Sequence, residues 1–235
     1  MPAQPSIGLL LLDNGFERIP GDVGHPATWR FPVRRATVPG VTAAMVAQGG
    51  PALVEPFVRA GLHLVEQGVA AIATSCGFLA ALQPELSARL PVPVATSALL
   101  QIPAVSRLLP PGRTVGILAS LGGSLAPQLN ALDLPATLPV VGLADDAAML
   151  RDLRAGRSPI PVEAHRQDVL AAAQRLLRAH PQVGAIVLEC ANFPPHSQAL
   201  AAATGLPIFD TVSLVNWLYA ALVPWHPSEV SGAVS

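Results

Sequence analysis

The strongest constraint on the fold is that the chain repeats itself. A shift of 114 residues lays VAAIATSCGFLAALQPELSARLPVPVATSALL (Val69–Leu100) on VGAIVLECANFPPHSQALAAATGLPIFDTVSLV, which starts at Val183, with no gap through the matching positions. Val69 meets Val183, Ile72 meets Ile186, Pro93 meets Pro207 and Leu100 meets Leu214. Cys76 meets Cys190, and these are the two cysteines of the chain. A weaker echo sets Ile7-Gly8-Leu9 on Val115-Gly116-Ile117. Each copy reads as apolar strand, cysteine, helix, proline turn, strand, helix. Solenoid periods are ~20–50 residues, so so long a period points to two related lobes facing each other.

The expected fold class is α/β: two pseudosymmetric lobes, each a mainly parallel sheet flanked by helices, with the active site in the cleft between them. Candidate strands are Ile7–Leu12, Val69–Thr74, Val92–Ala95, Thr114–Leu118, Pro139–Gly142, Gly184–Leu188 and Pro207–Phe209. Helix-like stretches lie between them. The first lobe is expected to be discontinuous, 1–101 plus 208–235, and to carry Cys76; the second, 102–207, carries Cys190. Asp13–Gly50, rich in Pro, Gly and Arg, reads as a long loop, and Pro224–Ser235 as a frayed tail.

Composition narrows the chemistry. The 14 positive residues are all Arg. Without Lys there is no Schiff base for pyridoxal phosphate and no Walker lysine. A net charge of -1 argues against a nucleic-acid partner, which needs a basic face. Mean hydropathy is high at +0.48, yet no apolar run nears the ~18–20 residues of a membrane span. The first residues lack a basic n-region, and two cysteines make no disulfide framework. The expectation is a cytoplasmic protein with no membrane partner.

Both cysteines follow apolar strands and precede helices, where open α/β sheets bind ligands. Free N–H groups at a helix start favour thiolate over thiol. Two such groups facing each other across a cleft are suited to inverting a carbon, one removing a proton and the other delivering one to the opposite face. Buried packing cysteines are the structural alternative. A zinc site from Cys76, Cys190 and His196 lacks ligand spacing, so no metal is expected. His63, His165 and His180 sit on helix-like stretches and read as surface residues.

Ala-Thr-Ser-Cys76-Gly and Leu-Glu-Cys190-Ala-Asn-Phe-Pro resemble the two cysteine motifs of the cofactor-independent aspartate/glutamate/hydantoin racemase superfamily. IGLLLLDNG is similar to that family's first strand and VGILASLGGS (Val115–Ser124) to the strand and turn that open its second lobe. The resemblance runs from about Ile7 to Leu222. It implies Cys76 and Cys190 as the acid/base pair, Asp13 and Asn14 at the rim of the site, and Ser120 in place of the usual Thr. It also implies no cofactor and a homodimer. Gly77-Phe78 and Ala191-Asn192 stand where glutamate racemases carry Asn-Thr and Thr-His, which puts Gly77, Ala191 and Asn192 against the substrate and disfavours glutamate itself.

Among nearby hydroxyls, Ser75 is the best candidate donor because it adjoins Cys76. Arg30, Arg34 or Arg35 is a candidate clamp for a substrate carboxylate. Phe16, Trp29 and Phe31 either line the entrance or staple the long loop to the body. Strand alternation turns Glu189 away from the side its neighbour faces; aimed into the cleft, it would instead raise the Cys190 pKa or act as a base. The expected function is racemisation or epimerisation next to a carboxyl or carbonyl of a small carboxylate or hydantoin. Decarboxylation, cis-trans isomerisation or lyase chemistry on the same scaffold is the alternative, and a non-catalytic ligand-binding relative is another.

Overall fold

The computed structural model describes residues 4–224; the expected frayed tail lies, beyond Pro224, outside the described residues. Among the described residues eight strands form two four-stranded, wholly parallel sheets. The first holds β1 (Ser6–Leu12), β2 (Val33–Val38), β3 (Val69–Thr74) and β4 (Val94–Ala95), in the order β2-β1-β3-β4. The second holds β5 (Thr114–Ala119), β6 (Val140–Gly142), β7 (Val183–Leu188) and β8 (Ile208–Phe209), in the order β6-β5-β7-β8. The helices of the first half are α1 (Ala43–Gln48), α2 (Val54–Glu66), α3 (Gln83–Arg89) and α4 (Ile102–Leu108). Those of the second are α5 (Ala126–Ala131), α6 (Ala148–Ala155), α7 (Val162–Ala179), α8 (Ser197–Thr204) and α9 (Thr211–Leu222).

The duplication read from the sequence extends to register. β3 and β7 are buried along nearly their whole length, as continuous apolar strands in a covered parallel sheet must be. Ile7 pairs with Ala71 as Val115 pairs with Ala185, and each pairing is preceded by the same one-residue slip. Gly8 and Gly116 occupy equivalent places: a Cβ would stand 3.0 Å from Leu64 of α2 in one lobe and 2.8 Å from Leu176 of α7 in the other. Glycine there lets the covering helix lie close on the central strand. After the last strand of each sheet the chain crosses over, so that α4 packs on β5 and α9 on β3. Val215 of α9 is buried with Ile7, Leu9, Ala71 and Ala73. One core cluster also spans both lobes, joining Leu79 and Ala80 to Leu125, Leu129, Ile117 and Val187.

Three expectations need correction. Asp13–Gly50 is not all loop, since it contains β2 and α1. β2 pairs only with β1 and exposes Arg34 and Arg35; a charged edge strand resists further pairing, and its charge conceals it from an apolar pattern search. The stretch after Cys76 begins as a 3-10 turn, Gly77–Leu82, before α3 starts at Gln83. His165 is buried, with Nε2 2.9 Å from Asp152 Oδ2, where it ties α7 to α6.

Candidate active site

The carboxyl ends of β1, β3, β5 and β7 open onto a cavity of about 580 Å3 between the two sheets. Cys76 and Cys190 each stand two residues beyond their strand, and both line this cavity. So do the other sequence-predicted residues: Asp13 and Asn14 after β1, Ser75 and Gly77 around the first cysteine, Ser120 after β5, and Ala191 and Asn192 after the second. Cys76 is half-buried and Cys190 buried, and neither is in a disulfide.

Matched backbone bonds hold the two cysteines. Ser75 N–H donates to Leu10 O, and Glu189 N–H donates to Leu118 O. The Ser75 hydroxyl accepts from Leu12 N–H at 3.1 Å, while Glu189 Oε2 accepts from Ser120 N–H at 3.4 Å. Glu189 thus occupies the place of Ser75 and carries a larger, ionisable group there. Its carboxylate does not turn away: it sits between Ser120 N–H and Gly77, two residues of the cavity wall. Alternation fails because β7 ends at Leu188, and beyond a strand end the period of two no longer fixes direction. Gly77 is the complement of this arrangement: a Cβ there would overlap the Glu189 carbonyl oxygen and Oε1.

Asp13 and Asn14 brace the turn into α1. Asp13 Oδ2 accepts from Gly40 N–H at 2.9 Å and Asn14 Oδ1 from Ala43 N–H at 3.2 Å. Phe16 lines the cavity, whereas Trp29 and Phe31 do not. Trp29 donates to Val23 O, and Phe31 stacks on Tyr219 of α9 at 3.8 Å, so these two staple the segment to the body. Arg30, Arg34 and Arg35 are exposed and off the cavity. The cationic side chain on its wall is instead Arg154, at the end of α6. Sequence reasoning missed it because only the fold brings α6 to the strand ends. Among the described residues no group of three or more His, Cys, Asp or Glu side chains could hold a metal ion.

The electrostatics reverse one expectation. Burial pushes the Cys76 thiol up to about 12, with the Glu189 carboxylate adding to the shift. The N–H groups of Phe78 and Leu79 pull the other way and lose. Cys190 is raised well above the ordinary thiol range, by burial first and then by Glu189. Both cysteines therefore rest as thiols, because desolvation of an anion outweighs a few backbone donors.

Glu189 is fully buried, with Oε1 lacking a hydrogen-bond partner. Burial raises its carboxyl to about 7. A carboxyl raised in the folded state holds its proton more tightly there than in the unfolded chain, so it lowers stability as pH climbs from 4.5 to about 7, and by a constant amount above that. In urea titrations the stability advantage of Glu189→Gln over wild type should grow between about pH 4 and about pH 8. A difference independent of pH would show that the carboxyl titrates alike in both states.

Comparison with known proteins finds relatives in sequence and in fold. A family model, Asp/Glu/Hydantoin racemase, matches residues 37–218. A dimethylsulfoniopropionate lyase of Durusdinium sp. clade D is 29% identical over 228 residues, covering 93% of this chain and 75% of that protein. Dimethylsulfoniopropionate lyase 6 of Emiliania huxleyi (strain CCMP1516) is 29% identical over 244 residues, covering 95% of this chain and 63% of its own length. Among solved structures, a glycine-to-cysteine mutant of arylmalonate decarboxylase superposes with a TM-score of 0.65 at 17% identity, over 93% of both chains.

Proposed function

Because this chain belongs to the Asp/Glu/hydantoin racemase family, we propose that it removes the proton α to the carboxylate of a small molecule, without a cofactor, and that a β-substituent then leaves. The reaction is a β-elimination, and the substrate class is β-sulfonio carboxylates such as dimethylsulfoniopropionate. The observation that carries this reading is the paired-thiol cavity with a buried carboxylate, Glu189, at its base. The names of the two sequence relatives support it. Such a cavity suits a cationic substrate, since an unpartnered buried carboxylate oxygen is costly until a positive group meets it.

A sulfonium entering beside Cys76 stabilises its thiolate, and Glu189 accepts the thiol proton. The thiolate takes the α-proton, the electron pair left behind forms the Cα–Cβ double bond, and the Cβ–S bond breaks with its pair going to sulfur. Dimethyl sulfide and acrylate result, Cys76 is again a thiol, and Glu189 returns its proton to water. Arg154 holds the substrate carboxylate at the cavity wall.

A second reading, racemisation, is favoured by the thiol pair at matched positions of the repeat. Gas chromatography of the headspace over purified protein and dimethylsulfoniopropionate separates the two. Elimination predicts dimethyl sulfide equimolar with acrylate. No sulfide, together with loss of optical purity in an amino acid or hydantoin, would replace lyase with racemase.

A further inference from the structure

The pseudosymmetry of the site breaks at one place that affects the chemistry. Two residues after Cys190 stands Asn192, where the first lobe has Phe78. Cys190 Sγ donates to Asn192 Oδ1 at 3.7 Å, and Asn192 Nδ2 donates to Asp22 Oδ2 at 2.7 Å. Asp22 is itself buried and fixed through its other oxygen, Oδ1, which accepts from Arg18 and from Gly24 N–H, each at 2.7 Å. Gly24 leaves room for the Arg18 side chain, from which a Cβ would stand 2.5 Å. Asp22 offers acceptors only, so the amide of Asn192 must turn its NH2 to Asp22 and its oxygen to the thiol.

We infer that Asp22, working through Asn192, is a positioning residue that holds Cys190 as a neutral S–H donor and leaves proton abstraction to Cys76. The inference rests on the proposed elimination for its meaning, since a lyase needs one base whereas a racemase needs two groups that exchange roles. It also gives the segment after β1 a chemical part, supplied by Asp22 rather than by Arg30, Arg34 or Arg35. The charged and titratable groups facing Cys190 are Glu189, Cys76 and Asp22, with Arg18 behind Asp22.

The test uses thiol reactivity, which is independent of turnover. In Cys76→Ser protein only Cys190 alkylates, and its iodoacetamide rate against pH reports its ionisation. Asp22→Asn keeps the shape but inverts the relay. Arg18 and Gly24 hold the new amide oxygen, its NH2 faces Asn192, and the Asn192 amide turns over to donate toward sulfur. A donor stabilises thiolate, so Cys190 should alkylate about 10-fold faster at neutral pH, a shift of about one pH unit. Asn192→Leu removes the acceptor without adding a donor and should give a smaller acceleration. Asn192→Asp in the Asp22→Asn background restores an acceptor on both sides and should return the slow profile. An unchanged profile in folded Asp22→Asn and in Asn192→Leu would overturn the inference, whether or not dimethyl sulfide is released. Altered profiles without sulfide release would keep the relay and refute the lyase.

Discussion

Cys76→Ser should lower turnover by about 1000-fold, the scale of a lost general base, while Cys190→Ser should cost much less. The asymmetry follows from the neighbours of the two thiols. Cys76 is half-buried, faces the cavity and has Phe78 where Cys190 has Asn192. Cys190 is buried, and its S–H is engaged by the Asn192 oxygen. A serine hydroxyl at position 76 keeps the size of the thiol but is far too weak an acid to form the required anion. At position 190 a hydroxyl can still donate to Asn192. Initial rates of acrylate formation for the two variants decide the matter. Equal losses at both positions would mean that the thiols exchange roles, as racemisation requires.

Gly77→Ala should be nearly as damaging, through packing. The added methyl would overlap the Glu189 carbonyl oxygen and Oε1. The carbonyl cannot yield, because Glu189 N–H is tied to Leu118 O and the residue is buried. Overpacking of this kind costs about 3 kcal/mol, and whatever relaxation occurs must displace either the turn that carries Cys76 or the segment that carries Cys190. We expect a clear fall in the urea midpoint together with loss of activity. Ala191 occupies the equivalent position of the second lobe, where its methyl group is buried in the cluster of Ile7, Leu9, Val23 and Trp29. Wild-type stability in Gly77→Ala would show that the two lobes do not meet as closely as described.

Much of this architecture was legible in the sequence because a duplication constrains two regions at once. Matching Cys76 to Cys190 and Ile7 to Val115 placed the central strands and brought the two cysteines to equivalent strand ends. Pattern could not find β2, whose exposed arginines lack the apolar signature of a buried strand. Nor could it orient Glu189, whose direction is set by Ser120 N–H and the space left by Gly77 rather than by strand alternation. Thiol ionisation is hidden from the sequence for a related reason. A helix start is visible in sequence, whereas the depth of burial that opposes it depends on the facing lobe. Asp22 lies 170 residues from Asn192, and no local signal joins them.

The central claim is removal of an α-proton by Cys76, and proton NMR in D2O tests it most directly. Wild type with dimethylsulfoniopropionate should lose the substrate methylene signals as vinyl signals of acrylate rise, and Cys76→Ser should leave the substrate spectrum unchanged over the same time. Acrylate appearing at the wild-type rate in Cys76→Ser would contradict the account.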